Sequence, residues 1–541
     1  MRILGISPAH DSSVCVLKDG QIERFYKEER YSRVKRDKDP YLCLLKVRDE
    51  FGDSIDAVTI SSPTPNSFYD IGKFCEKAFK CPVGYVCNEH HLQHANLAFY
   101  NSSFEDALVL VADRCGTNYE ENIRESESIY YADYTNGFTE IYKNYWKMDI
   151  RDDKLDQLLK FLKGKYPHSD IVCQSQYSIT KVYESATTMI GEHPLDNGKT
   201  MGLSSYGKDK EFNKLITDSI PNDRYFYHVM KESTLPQTLY REYIDVNPDD
   251  LKETSYEFFA DYAYQVQKQT QEAVGDLIEK YSNKYTTNNI CITGGYGLNV
   301  VSNSYYVKRF PHLKFFFEPI ADDNGNSIGA ALSLYHSRVK SNEKLKYKQT
   351  FFHGVKEDIP EEYEHCTEDF IVDSLLDQKS VAVYHGLAEA GPRSLGNRSI
   401  LFDCRNKDAK RIVNKIKNRE WYRPFAAIVL EEDSYIFDMI GLERSEYMTM
   451  NFSVKEEYKD IIPGVVHVDG TCRIQTVSSE HLLYSLLSKI KERTGYGILL
   501  NTSFNVAGEP LVETIQEARK VLMNTDLNII WFPETGQFIM N

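Results

Sequence analysis

An amphipathic stretch runs directly into an apolar strand that breaks at glycines, and this constrains the fold more than any other feature. Over Glu253–Lys280, Phe259, Ala263, Val266, Thr270, Ala273 and Leu277 recur at spacings of three and four, which predicts a helix with one buried face. It leads into NNICITGGYG, a short strand ended by Gly294 and Gly295. A second strand and a glycine-bearing turn follow over Lys314–Gly325, then a small-residue helix over Gly325–Tyr335. Ile3–Ile6, Ser13–Leu17, Ala57–Ser61 and Ala107–Ala112 read as further strands. Such alternation requires helices layered on sheets, so the expected class is α/β.

The polar, lysine-rich segment His336–Thr350 predicts a linker. It divides the chain near residue 345 into units 1–345 and 346–541. Beyond it the pattern restarts with a helix over Phe370–Leu376, a strand over Ser380–Tyr384 and a Gly/Arg loop. TIQE at Thr514–Glu517 has the form of a capping box opening a helix, and Leu527–Phe532 reads as a strand.

Composition excludes several classes. Hydrophobic residues are 41% and aromatics 13% of the 541, too many for a largely disordered chain. No run of about 18 apolar residues occurs, so no membrane span is expected. MRILGIS reads as a strand and not as a signal peptide. The 11 cysteines are scattered with no CxxC pair, which fits reduced thiols of a cytoplasmic protein and argues against structural zinc. The net charge of −16 opposes nucleic-acid binding by bulk charge. An anionic substrate needs a local cationic pocket.

Four groups of residues carry candidate chemistry. In HHLQHA, His90 and His94 are four apart and share a helix face. Asp113 ends the apolar strand ALVLVAD, and Asp323 lies in ADDNG ahead of the small-residue helix. Two histidines and two aspartates suit iron, manganese or magnesium better than structural zinc; Asp113 as a helix cap is the alternative. The turn TGGYGLN, with Gly294, Gly295, Gly297 and Asn299, follows a strand and offers N–H groups to a phosphate, or is simply a tight turn. GKT at Gly198–Thr200 imitates a P-loop ending, but His193 stands where the earlier glycine belongs, and the P-loop is rejected.

The third group is cationic. GPRSLGNR brings Arg393 and Arg398, KNREWYRPF brings Lys417, Arg419 and Arg423, and HVDGTCR brings Arg473. NTSFN adds Asn501, Ser503 and Asn505 as neutral donors. Arginines in Gly/Pro loops suit bidentate binding of phosphate or carboxylate; surface ion pairs are the bland alternative. The fourth group is SPAHDSS, where His10 beside Asp11 at a strand end is placed to act as a general base, or Asp11 merely caps a turn. Lys27–Lys38 (KEERYSRVKRDK) is expected to be a solvated charged turn, with a phosphate contact as the less favoured reading.

Taken in order, ILGISPAHDSSVCVLKDG, KEERYSRVK, HHLQHA with VADRCG, GKTMGLSSYG, CITGGYGLNVVSN, EPIADDNGNSIGAAL, GPRSLGNRSILFDCR, NREWYRPFA, HVDGTCRIQTV and LLNTSFNVAGEPLV resemble the O-carbamoyltransferase family of nodulation-factor and antibiotic biosynthesis (NodU/CmcH type). The resemblance covers nearly the whole chain. It implies an N-terminal actin/sugar-kinase-like (TsaD-like) ATPase fold and a C-terminal YrdC-like α/β domain. It further implies that carbamoyl phosphate and ATP, with Mg²⁺, form carbamoyl-adenylate in the C-terminal unit. The carbamoyl group then passes to a hydroxyl of a small acceptor in the N-terminal unit, where a divalent metal, Fe²⁺ in the best-understood members, is bound.

Residue by residue, the resemblance puts metal ligands on His90, His94, Asp113 and Asp323, and nucleotide contacts on Gly294, Gly295, Gly297 and Asn299. Carbamoyl-phosphate or phosphate contacts fall on Arg393 or Arg398, Lys417, Arg423, Arg473, Ser503 and Asn505. The catalytic set it implies is His10, Asp11, Lys417 and Arg473. Asp322 replaces a glycine usual before the metal-binding aspartate, and so could alter metal preference or be the ligand itself. Ala390 and Ser394 replace bulkier residues, and residues 138–194 match nothing assignable. No membrane partner is expected, nucleic acid is disfavoured, and a homodimer is compatible with the reading. The competing functions are carbamoylation of a nucleotide or nucleic acid, and a non-catalytic nucleotide-binding regulator.

Overall fold

The computed structural model describes residues 1–62, 69–87, 89–119, 123–146, 152–174, 179–209, 254–339 and 351–541. Most of the expected linker and parts of the unassigned stretch 138–194 lie outside them. The fold is mixed α/β, with three sheets among the described residues.

The first sheet contains β1 (Arg2–Ser7), β2 (Ser13–Lys18), β3 (Gln21–Lys27), β4 (Ala57–Ser62) and β5 (Val83–Cys87), in the order β3-β2-β1-β4-β5. β3, β2 and β1 are antiparallel neighbours, whereas β1, β4 and β5 are parallel. Alternate residues of these strands are buried on opposite faces. Leu4, Ile6, Val14 and Val16 pack with Cys43, Leu44 and Ile71 of two helices on one side. Ile3, Cys15 and Leu17 join Ile328 and Ala331 on the other. Burial of both faces explains why the strands read as continuous apolar runs.

The second sheet contains β6 (Asp106–Ala112), β7 (Asn118–Tyr119), β8 (Ile123–Asp133), β9 (Gly137–Trp146), β10 (Asp170–Gln174), β11 (Asn289–Thr293) and β12 (Lys314–Phe317). Its order is β10-β9-β8-β6-β11-β12, with β7 paired to β8. Within it, β9-β8-β6-β11-β12 repeats the pattern of the first sheet: three antiparallel neighbours, then two parallel ones. A ten-stranded mixed sheet is built entirely from residues 364–540.

The expected long helix runs over Thr254–Lys284. Phe259, Ala263, Val266 and Thr270 are buried, but the buried face then continues through Val274, Ile278 and Tyr281, with Ala273 and Leu277 at its edge. The helix Asn326–Arg338 extends three residues into the segment read as linker. It lies between the first sheet and the helix His90–Asn101. A Cβ on Gly5 would stand 2.0 Å from Ser327 O, and one on Gly329 would stand 2.0 Å from Gln93 O. Small residues are therefore what allows this helix to approach both neighbours.

The Lys27–Lys38 segment corrects the sequence expectation. Lys27, Glu29 and Arg30 are buried. Arg30 donates to Glu389 O at 3.1 Å, and Arg33 donates to Leu511 O at 2.9 Å and Pro510 O at 3.0 Å. Arg33 also meets Glu517 at 3.1 Å. The segment joins the first sheet to the C-terminal unit. Arg30 and Arg33 find fixed partners there, which a charge pattern alone does not reveal.

Candidate active site

The helix His90–Asn101 begins at the first metal candidate, so His90 and His94 lie one turn apart on its buried face. Asp113 follows β6, and Asp323 opens the turn leading into the helix Asn326–Arg338. Packing of that helix on His90–Asn101 closes the cluster. One ligand atom from each of His90, His94, Asp113 and Asp323 lies within 4.8 Å of the others, and all four side chains are buried. His90 Nε2 is 3.4 Å from carboxylate oxygens of both Asp113 and Asp323, and His94 Nε2 is 3.4 Å from Asp323. Two buried carboxylates at this separation repel unless positive charge lies between them. The donor set, two imidazoles with two carboxylates, fits a divalent transition metal.

Asp323, and not Asp322, joins this cluster. Burial raises the Asp323 carboxyl, but the charges of His10 and His90 prevail and hold it well below the usual range. His10 reaches the cluster from the turn between β1 and β2. Its Nε2 is 3.3 Å from Asp323 Oδ2 and its Nδ1 is 2.9 Å from Asp11 Oδ2. The Asp323 charge, working against burial, lifts His10 to about 9, and Asp11 adds to the effect. In this arrangement the ring carries a proton at pH 7 and donates from both nitrogens. The base role read from the sequence requires one of those contacts to relax.

The glycine turn serves the cluster too. Gly294 has φ +80, and a Cβ there would stand 2.4 Å from Ala112 O. Only glycine lets the turn cross the end of β6 so closely. Gly295 N–H donates to Asp113 Oδ1 at 2.9 Å, so the donor expected to face a phosphate is spent on fixing an aspartate. Gly297 N–H closes the turn onto Gly294 O at 2.8 Å. The Asn299 side chain caps the following helix through Ser302 N–H at 3.1 Å.

The opposite wall is cationic. The helix Ala409–Lys417 ends with Lys417 in reach of the Ser503 carbonyl, Ser503 Oγ at 3.0 Å and Asn505 Oδ1 at 2.7 Å. The adjacent strands Ala426–Leu430, Thr471–Val477 and Ile498–Ser503 bring Arg423, Arg473 and Ser503 to one region of the sheet. Burial, with Arg419, Arg423 and Lys35 nearby, holds the Lys417 amine well below its ordinary value. Burial and Arg393 do the same to Arg473, and burial with Arg423 brings Arg393 down to about 10. Arg473 Nε is buried with no hydrogen-bond partner among the described residues. A knot of mutually repelling cations, half-buried around the buried Lys417, is a site prepared for an anion.

Both walls face one cavity of about 910 Å³. Its lining includes His10, Asp113 and Asp323 on one side and Arg393, Lys417, Arg423, Ser503 and Asn505 on the other. Gly295, Asn299 and Asp11 line it as well. Arg473 stands behind this lining, beside Arg393 and Arg423.

Arg398 and Asn501 do not line the cavity. Arg398 is fully buried, donates to the carbonyls of His385 (2.6 Å) and Gly386 (3.1 Å), and lies 3.6 Å from the Tyr384 ring centroid. It binds its own loop, which corrects its placement as an anion contact. Asn501 is occupied by Ser394 at 3.3 Å. The sequence reading missed Arg114, Thr180 and Tyr183, which also line the cavity. Arg114 directly follows Asp113 at the same strand end, a signal that was available; Thr180 and Tyr183 carried none.

Two family descriptions match this chain: Carbamoyltransferase N-terminus over residues 44–332 and Carbamoyltransferase C-terminus over residues 372–536. The first alone spans more than half of the sequence. The chain belongs to the carbamoyltransferase family and is a carbamoyltransferase enzyme. An uncharacterized protein of Methanocaldococcus jannaschii is 28% identical, with 98% of each chain covered. Nodulation protein NolNO of Sinorhizobium fredii is 26% identical over 96% of this chain and 77% of its own length. Among solved structures, full-length HypF in its phosphate- and nucleotide-bound form is 12% identical, with a TM-score of 0.39. That match covers 63% of this chain and 47% of HypF, and at such a score the likeness carries nothing further. Among the described residues no helix is long and apolar enough to cross a membrane.

Proposed function

We propose that this chain is an ATP-dependent O-carbamoyltransferase of the cytoplasm that activates carbamoyl phosphate as carbamoyl-adenylate and carbamoylates a hydroxyl of a small molecule. The observation that carries this reading is the single cavity shared by the His/Asp cluster and the cationic wall. Carbamoyl phosphate and ATP are both anionic, and bringing them together needs the charge of Arg393, Lys417, Arg423 and Arg473. Carbamoyl phosphate loses its phosphate with one water. The freed carbamate oxygen attacks the α-phosphorus of ATP, and pyrophosphate leaves. In the second step the acceptor oxygen bonds to the carbamoyl carbon, the bond to AMP breaks, and the hydroxyl proton leaves to a base.

The residues divide by wall. Ser503 and Asn505 fix the Lys417 ammonium in place, and its charge attracts the phosphoryl oxygens. Asp11 orients the His10 ring toward the reacting centre, and relaxation of one carboxylate contact would let His10 take the hydroxyl proton. His90, His94, Asp113 and Asp323 would hold a divalent metal, Fe²⁺ by the resemblance, and that ion would supply Lewis-acid polarisation of the carbamoyl group. Mg²⁺ would enter with ATP. The repeated strand pattern of the first two sheets supports an actin/sugar-kinase-like N-terminal unit. The separate sheet over residues 364–540 supports a distinct C-terminal unit, YrdC-like by resemblance, with the division near residue 345.

The test is to incubate folded protein with ATP, Mg²⁺, ferrous ion and carbamoyl phosphate and to measure pyrophosphate. Release that depends on carbamoyl phosphate is expected. Its absence would end the reading. Metabolites that gain a carbamoyl group then identify the acceptor.

A further inference from the structure

GKT at Gly198–Thr200 is not a P-loop, yet its lysine lines the cavity. Lys199 Nζ is 2.5 Å from Glu192 Oε2, 2.7 Å from Glu420 Oε1 and 3.4 Å from Asp196 Oδ2. An ammonium has three N–H donors, and three carboxylates already surround this one. Lys199 therefore has nothing left for a phosphate. Its partner Glu420 lies three residues before Arg423 in a turn, with Oε2 at 3.4 Å from Arg423 Nη1. That is long for an Arg–carboxylate contact, whose ordinary length is about 2.7–2.9 Å. Glu420 is thus held closely by lysine and only loosely by arginine.

We infer that Lys199 is a positioning residue for anion binding: by holding Glu420, it keeps that carboxylate from closing onto Arg423 and leaves the guanidinium free for the anionic substrate. The helix Asn197–Ser204 packs on Thr254–Lys284 in the N-terminal unit, whereas Glu420 and Arg423 follow the helix Ala409–Lys417. The contact surface is close, since a Cβ on Gly202 would stand 3.3 Å from Pro424 Cδ. The anion site is then complete only when the two units are docked. Without Lys199, Glu420 keeps Arg423 and Arg419 as cationic neighbours, and Coulomb attraction draws it into a closer contact with Arg423, its nearer partner. Bound phosphate and Glu420 would compete for the same donors.

The inference rests on the proposed use of carbamoyl phosphate, and two readouts separate them. In the full chain, first-turnover pyrophosphate release is followed against carbamoyl phosphate concentration. Lys199→Met should raise the half-saturating concentration on the order of tenfold, the worth of one charge-assisted hydrogen bond, with little change in maximal rate. Lys199→Arg should recover part of that loss. Lys199→Met with Glu420→Gln should recover most of it, because the competitor is gone. An unchanged half-saturation in Lys199→Met, or a double variant as weak as the single, overturns the inference. If Lys199→Met does not fold, Glu420→Gln alone decides: a half-saturation equal to or below that of the unaltered enzyme supports the inference, and an increase overturns it. Calorimetric titration of the same variants with inorganic phosphate must give the same order of affinities without any turnover. An enzyme that binds phosphate in that order but releases no pyrophosphate would refute the adenylation reading and leave the Lys199 inference standing.

Discussion

His10 Nε2 lies 3.3 Å from Asp323 Oδ2, so a hairpin turn of the first sheet touches the His/Asp cluster through one side chain. Asp11 holds the other ring nitrogen at 2.9 Å, and the imidazole has one orientation. Under the proposed function a residue so placed serves transfer and not activation, because the cationic wall lies across the cavity. His10→Ala should leave first-turnover pyrophosphate release within a few-fold and slow AMP formation on the order of a hundredfold or more. Equal loss of both products would refute this division of labour.

His94→Ala removes one of four donors from the cluster and should lower metal affinity by more than about a hundredfold. Metal content after dialysis, measured against the unaltered protein, checks this directly. First-turnover pyrophosphate release should persist while AMP formation is lost. Equal metal content in the two proteins would remove His94 from the ligand set.

The His/Asp cluster was legible in the sequence because its signals are local. A spacing of four fixes a shared helix face, and a carboxylate just past an apolar strand emerges at the strand's end. Arg398 was misread because a loop composition does not say whether a guanidinium faces a cavity or the carbonyls of its own loop. Lys27–Lys38 was misread because its partners at Glu389, Pro510, Leu511 and Glu517 are hundreds of residues away. The repeated strand pattern in the first two sheets was invisible because it is a similarity of pairing, with different residues in each sheet. Lys199 was set aside with the P-loop, although its carboxylate partners include Glu420 of the other unit.

Lys417 and Arg473 belong to the cationic wall and Arg398 does not, and this contrast is measurable. Lys417→Ala and Arg473→Ala should each slow pyrophosphate release on the order of 100–1,000-fold, as expected for losing a preorganised charged donor. Arg398→Lys keeps the charge but loses the planar fork that serves His385 and Gly386 carbonyls. It should lower the melting temperature while leaving half-saturation by carbamoyl phosphate within about twofold. A large rise in half-saturation without loss of stability would return Arg398 to the substrate site.

Glu318 directly follows β12 in the core, with no cation paired to it among the described residues. Its carboxylate accepts from Asn101 Nδ2 and from Ile320 N–H, each at 2.9 Å. Burial raises its pKa to about 7, those hydrogen bonds moderate the rise, and Asp322 adds to it. A carboxyl whose folded pKa lies above its unfolded value binds its proton more tightly in the folded state. The resulting stability is complete below the unfolded value of 4.5 and is lost as pH rises toward about 7. The slope approaches about 1.4 kcal/mol for each pH unit inside that window and flattens above it. Glu318→Gln keeps one carbonyl acceptor, puts a two-donor NH₂ in place of the other oxygen, and does not titrate. Its melting temperature relative to the unaltered protein should therefore rise between pH 5 and pH 7 and level off at pH 8. A difference constant across that range would mean that Glu318 does not carry the titration.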